Sequence, residues 1–126
     1  VGEFIPYMRS KYHMRESTIL IDPACKALRL EIEKLGLMTQ GADNNAHDVK
    51  GNKKGIKCGI EMFQNCITNG RFYCIDDERY GQENWLTEIG LYCWDDNGNP
   101  IDAYNHVCDS YRYANTYFMK NYGLWN

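Results

Sequence analysis

The sequence lacks any long apolar run, and no window approaches the roughly 18 consecutive apolar residues that a membrane-spanning helix needs. It also lacks low-complexity stretches, and a content of 44% hydrophobic and 25% charged residues is typical of an ordered protein. Its opening residues, VGEF, do not begin with Met, which indicates a processed terminus or a cloning remnant. We therefore expect an N-terminal segment at 1–15, one domain at 16–126 and no transmembrane segment.

A concentrated basic surface is also missing from the sequence. Residues 1–57 carry ten Lys and Arg against seven acids, whereas residues 58–126 carry four against ten. Binding to a phosphate backbone needs clustered positive charge, and the one basic cluster, at 50–57, lies in a polar stretch typical of a solvated loop. Nucleic acid is therefore not an expected partner.

Six cysteines are present without a single C-x-x-C pair, and the three histidines lie far apart. Zinc sites need closely spaced Cys and His ligands, so no metal site is predicted. An even cysteine count at these wide separations is typical of disulfides in a secreted protein. The predicted disulfide-forming residues are Cys25, Cys58, Cys66, Cys74, Cys93 and Cys108. Spacing leaves the pairing open, and we favour Cys93 with Cys108 because they lie on consecutive helices joined by a tight turn.

Apolar residues recurring every three or four positions predict four helices. The first is predicted at 23–35, because Asp22-Pro23 is a typical helix start and Gly36 a typical end. Its predicted apolar stripe, with Cys25 facing the core, consists of Cys25, Leu28, Ile32 and Leu35. The polar residues at 39–55 predict a long surface loop.

The second helix is predicted at 56–68, where Asn69-Gly70 ends it, and the third at 85–93. Asn99-Pro100 repeats the cap-then-proline pattern, so the fourth helix is predicted at 100–122. Its predicted apolar face consists of Ile101, Tyr104, Cys108, Tyr111, Phe118 and Tyr122. The expected fold is all-α, a small disulfide-stapled bundle of about four helices, with room for a short β-ribbon at 71–75 or 91–94.

Three local features resemble the secreted phospholipase A2 superfamily. The run CITNGRFYCIDD at 66–77 is similar to the one that follows the catalytic helix in some invertebrate members. Cys93 and Cys108 are similar to the cysteines that bracket the last two helices, and FMKNYG at 118–123 resembles the end of the final helix. Across about half of the chain, the resemblance implies a crosslinked helical fold and calcium-dependent phospholipid hydrolysis.

The sequence departs from that family at the catalytic positions. The family places a His-Asp pair shortly before a cysteine, His as general base and Asp on calcium, but Phe63 and Gln64 precede Cys66 at the corresponding places. Phenylalanine cannot accept a proton and glutamine carries no charge for a hard cation. The one His-Asp dipeptide, His47-Asp48, lies in the predicted polar loop and supplies the remaining catalytic candidates. We therefore expect a catalytically degenerate relative.

The expected function is that of a secreted, non-enzymatic binding protein, an effector or toxin-like module that engages a protein partner from a rigid scaffold. Aromatic side chains dominate such interfaces. The predicted contact residues on and after the final helix are Tyr113, Tyr117, Leu124 and Trp125. Two alternatives stay open: a calcium-dependent lipase with a divergent site, and a carrier of a lipid or small hydrophobic ligand. No cofactor is expected, except calcium if the lipase alternative holds.

Overall fold

The computed structural model describes residues 3–12, 18–46, 55–80 and 82–122, and it confirms a mainly helical fold. Five α-helices lie in these ranges: α1 (Phe4–Tyr12), α2 (Lys26–Lys34), α3 (Ile56–Thr68), α4 (Gln82–Leu91) and α5 (His106–Tyr122). Two short strands, β1 (Ile19–Ile21) and β2 (Thr39–Gly41), and a 3₁₀ turn at Glu78–Tyr80 complete the elements. The chain forms two compact units, Val1–Ala42 and Asp43–Asn126. A single domain at 16–126 stays a prediction.

The predicted disulfide staples are not formed in this structure. All six cysteines lie in the described residues, and no disulfide bond joins any two of them, Cys93 and Cys108 included. Cys25, Cys74 and Cys93 are exposed, whereas Cys58 and Cys108 are buried. The helical part of the expected fold is therefore confirmed, and its crosslinking stays a prediction.

The first unit is built around a β-α-β arrangement. Strands β1 and β2 pair in parallel, with Ile19 opposite Thr39 and Ile21 opposite Gly41. Parallel neighbours need a crossover connection, which α2 provides. Arg29 of α2 donates from Nε to the Thr39 hydroxyl at 2.9 Å and to the Glu33 carboxylate at 3.0 Å, so the helix is fastened to β2.

Three sequence predictions in this unit are wrong. Helix α2 begins three residues later than predicted, because the Asp22 carboxylate accepts a hydrogen bond from the Ala24 amide at 2.8 Å and closes a turn before the helix. Of the predicted apolar stripe only Ile32 is buried, while Cys25, Leu28 and Leu35 are exposed. The loop predicted at 39–55 also fails at its start, where strand β2 lies.

In the second unit, helix α3 has the predicted limits. It ends at Thr68, followed by Asn69 as C-cap and by Gly70 at a φ of +66°, a conformation that favours glycine. Helix α5 packs against both α3 and α4. Two groups of buried side chains fill the space between these elements: Phe63, Trp85 and Cys108 in one, and Ala46, Cys58, Met62 and Met119 in the other.

The predicted start of the last helix is wrong. Residues 93–101 form a hairpin, in which Trp94 and Pro100 make an antiparallel bridge and the Ile101 amide donates to the Cys93 carbonyl at 3.1 Å. The Asp95 carboxylate holds the turn by accepting from the Asn97 and Asn99 amides at 2.9 and 2.8 Å. Asn99-Pro100 therefore closes a hairpin instead of capping a helix, and one of the two predicted ribbon positions, 91–94, contributes a strand-like bridge.

Helix α5 begins at His106, and its N-terminus is capped by a side chain from another helix. The Glu88 carboxylate of α4 accepts hydrogen bonds from the Val107 and Cys108 amides at 2.7 and 3.1 Å, which satisfies two amides of the first turn. The predicted apolar face is also wrong, since Phe118 and Tyr122 are exposed. The buried residues of α5 are Cys108, Arg112, Thr116 and Met119.

Candidate functional site

Between α3, α4 and α5 the second unit has a cleft of about 140 Å³. Helix α3 contributes Ile60, Phe63, Gln64 and Ile67 to its wall. Ile89 of α4 and Tyr92 beyond it face them, and the first turns of α5 contribute Cys108, Asp109 and Arg112. The lining is thus apolar over most of its residues, with one carboxylate and one guanidinium on the α5 side.

The wall that Phe63 provides belongs to a cluster of four aromatic rings. Phe63 lies with its ring centroid 5.2 Å from that of Phe72 and 5.7 Å from that of Trp85. Tyr111 contacts Trp85 edge-on at 4.7 Å and Phe72 at 5.2 Å. Edge-to-face packing at these separations is favourable, so this side of the cleft is rigid.

The mouth of the cleft is apolar and open to solvent. Ile67 of α3 and Ile89 of α4, which both line the cleft, are 37% and 40% exposed. A smaller pocket of about 30 Å³ continues the cleft towards the hairpin, sharing Ile60 and Tyr92 and adding Trp94, which is 42% exposed. We call these two concavities, which share lining residues, the helix cleft.

The polar side of the helix cleft is held by Arg112, whose side chain is only 4% exposed. Its guanidinium donates to the Asn44 amide oxygen from both terminal nitrogens at 3.2 Å and to the Asp109 carboxylate at 3.2 Å. Its methylenes pack on Gly59, where an added Cβ would meet them at 3.4 Å. Arg112, which belongs to α5, therefore contacts both the 43–46 segment and α3.

Burial dominates the titration of the thiol in this cleft. Burial, together with the neighbouring carboxylates of Glu88 and Asp109, raises the pKa of Cys108 to about 11. Burial also raises the pKa of Tyr92 above its usual value. Because a thiol with so high a pKa stays protonated near neutral pH, Cys108 offers no thiolate nucleophile.

This difference between the cysteines predicts an alkylation pattern. In native protein at neutral pH we expect iodoacetamide to modify the exposed Cys25, Cys74 and Cys93 before Cys108, with peptide mapping by mass spectrometry giving the order. Denatured protein, in which Cys108 is as accessible as the rest, is the control. Fast labelling of Cys108 in the native state would contradict the pattern. If the intact mass is instead lower by two hydrogens for each cysteine pair and no cysteine is labelled, the predicted disulfides are present.

The structure describes only some of the predicted site residues. Tyr113 and Tyr117 are half-buried, and the Tyr113 ring lies under the Arg112 guanidinium, 4.7 Å from ring centroid to Cζ. The exposed aromatic residues at this end of α5 are instead Phe118 and Tyr122, 51% and 64% exposed, which the sequence analysis placed on the core face. The predicted residues that lie outside the described ranges are His47, Asp48, Leu124 and Trp125.

The helix cleft is not evident in the sequence, because the helical spacing of Ile60, Phe63 and Ile89 predicts ordinary core positions. One signal was available: the apolar residues of α3 cover more than one stripe, since Ile67 extends them beyond the face that Cys58 and Met62 define. Phe63 is buried against Trp85, and Gln64 lies on the cleft wall.

Comparisons with protein-family models, with curated proteins and with solved structures find no match to this chain. The described residues contain no group of three or more His, Cys, Asp and Glu side chains placed to hold a metal ion. Among the same residues, no helix combines the length and the apolar composition needed to cross a membrane. The helix cleft is therefore the feature of the described chain from which a function is argued.

Proposed function

We propose that the chain is a protein-binding module and that its contact surface is the helix cleft. The observation that carries this proposal is the open apolar mouth formed by Ile67 and Ile89 above a concavity whose wall is a packed aromatic cluster. Anchoring side chains at protein interfaces fill well-packed pockets of this kind, surrounded by residues that exclude water.

The size of the cleft favours a protein partner over a small-molecule ligand. Pockets for drug-sized ligands enclose roughly 300–1,000 Å³, whereas this cleft encloses about 140 Å³. A cavity of about 150 Å³ is known to accept a benzene ring. The cleft therefore matches one bulky apolar side chain supplied by a larger molecule, and the carrier alternative has less support.

The end of α5 is a second position for the contact. Phe118 and Tyr122 supply exposed aromatic area there, with ring centroids 5.7 Å apart. The lipase alternative rests on the resemblance alone. Secretion, with disulfides among the cysteines, likewise stays a prediction from the sequence.

Selection of peptides from a displayed random library tests the proposal. Enriched peptides would be synthesised and titrated against the wild-type protein and two double variants, I67K/I89K at the cleft and F118K/Y122K at the end of α5. We expect the cleft variant to weaken binding by at least about tenfold, because a charged side chain replaces each half of the apolar mouth.

The α5 variant is the matched control, since it makes the same kind of change at two exposed apolar residues elsewhere on the unit. We expect it to bind the selected peptides as the wild type does. Loss of binding in the α5 variant alone would move the contact to the exposed aromatic residues at the end of α5. Failure to enrich any peptide whose binding depends on the cleft would contradict the proposal.

A further inference from the structure

We infer that the partner segment that fills the helix cleft carries a cationic residue, Lys or Arg, beside its apolar anchor. This inference rests on the proposed function and adds the chemistry of the partner to it. The anchor is a side chain of leucine or phenylalanine size, as the volume of about 140 Å³ requires. The neighbouring charge follows from the distribution of acids around the cleft.

Two of the three walls of the cleft come from a stretch of the chain that carries acidic side chains but no basic ones. From Gln82 to Asp109 the sequence carries six carboxylates and not one lysine or arginine. This stretch comprises α4, the hairpin and the first turn of α5, which together contribute Ile89, Tyr92 and Cys108 to the cleft. A partner approaching this side therefore meets a negative potential, which attracts a cation and repels a carboxylate. The six are Glu83, Glu88, Asp95, Asp96, Asp102 and Asp109.

The two positive charges of α5 are each paired with an acid of the same unit. Arg112 is the one guanidinium on the described cleft wall, and it is buried and hydrogen-bonded to Asp109 and Asn44. Lys120 lies about two helical turns further along α5, where it pairs with Asp43 at 3.4 Å. Asp109, with its side chain 30% exposed, is the carboxylate that lines the cleft itself. It is therefore the acid placed closest to a bound anchor.

Three peptides on a shared Gly-Ser host separate the anchor from the charge. The first carries Phe flanked by two Lys, the second Phe flanked by two Glu, and the third Ala flanked by two Lys. Binding is followed by NMR at the methyl groups of Ile60, Ile67 and Ile89. We expect the Phe-Lys peptide to bind about three- to tenfold more tightly than the Phe-Glu peptide, a preference that added salt reduces, and the Ala-Lys peptide to leave these methyl signals unshifted.

Removal of one cleft carboxylate tests the assignment to this wall. Asp109→Asn keeps an oxygen that accepts from Arg112 but removes the charge, so we expect the preference for Lys over Glu to fall. Glu31→Gln, which removes one exposed carboxylate from α2 of the first unit, is the matched control and is expected to leave the preference intact. Shifted cleft methyls with equal affinity for the Lys and Glu peptides would overturn this inference and leave the proposed function standing. If the two Phe peptides shift none of the cleft methyl signals, this inference and the proposed function are both wrong.

Discussion

Trp85→Ala is expected to lower the free energy of unfolding of the second unit by about 3–5 kcal/mol, the largest effect of any single truncation in the described chain. Trp85 is 5% exposed and lies within 5.7 Å, ring centroid to ring centroid, of Phe63, Phe72 and Tyr111. Its loss removes three ring contacts and leaves a cavity behind the wall of the helix cleft. Because whole domains are stable by only roughly 5–15 kcal/mol, the variant is expected to be close to unfolding.

Urea unfolding followed by far-UV circular dichroism measures this loss, and amide hydrogen exchange in α3 and α5 reports on the second unit alone. Phe118→Ala is the control, since it also removes an aromatic ring but one that is 51% exposed. We expect the control to unfold near the wild-type urea concentration. Equal losses in the two variants would mean that the four-ring cluster does not carry the stability assigned to it.

Helix α3 was predictable because two independent signals agree on it. Apolar residues at helical spacing identify the body of the helix, and Asn69-Gly70 supplies a local stop that the structure uses at a positive φ of Gly70. Where only one signal exists, as at the start of α2, the prediction misses by a turn. A helix boundary can therefore be predicted from the sequence where the local residues are compatible with only one structure.

The start of α5 was not predictable from the same kind of reasoning. Asn99-Pro100 fits both a helix cap and the end of a hairpin, and the choice is made by the Asp95 carboxylate, which closes the turn before it. The cap that α5 does use comes from Glu88, on another helix. Long-range contacts of this kind leave no periodic signal, and strands of three residues such as β1 leave almost none.

The helix cleft was hidden for a related reason. The same apolar residues line a cavity and fill a core, so the sequence predicts Ile60 and Ile89 as buried without showing that a gap remains between their helices. The burial of Arg112 was not predicted, because an arginine on a helix usually faces solvent. Its burial depends on Asn44, which lies 68 positions away in the sequence.

Arg112→Met is expected to destabilise the second unit by about 2–3 kcal/mol, even though methionine keeps most of the methylene packing over Gly59. The substitution removes hydrogen bonds to Asn44 and Asp109, and it leaves the Asp109 carboxylate without its buried partner. The loss is smaller than for a fully buried ion pair because Asp109 is 30% exposed, so water takes over part of its solvation. Urea unfolding and hydrogen exchange in the 43–46 segment measure the effect.

Two further variants separate the ion pair from general damage. Arg79→Met removes a guanidinium from an ion pair whose arginine side chain is 79% exposed, and we expect no measurable change in its unfolding. The double variant R112M/D109N is expected to be less destabilised than the sum of its single changes, because it removes the carboxylate that Arg112→Met leaves without its partner. Strictly additive losses would show that Arg112 acts through Asn44 and packing alone. In that case Asp109 is independent of the scaffold, and its charge serves only what binds in the cleft.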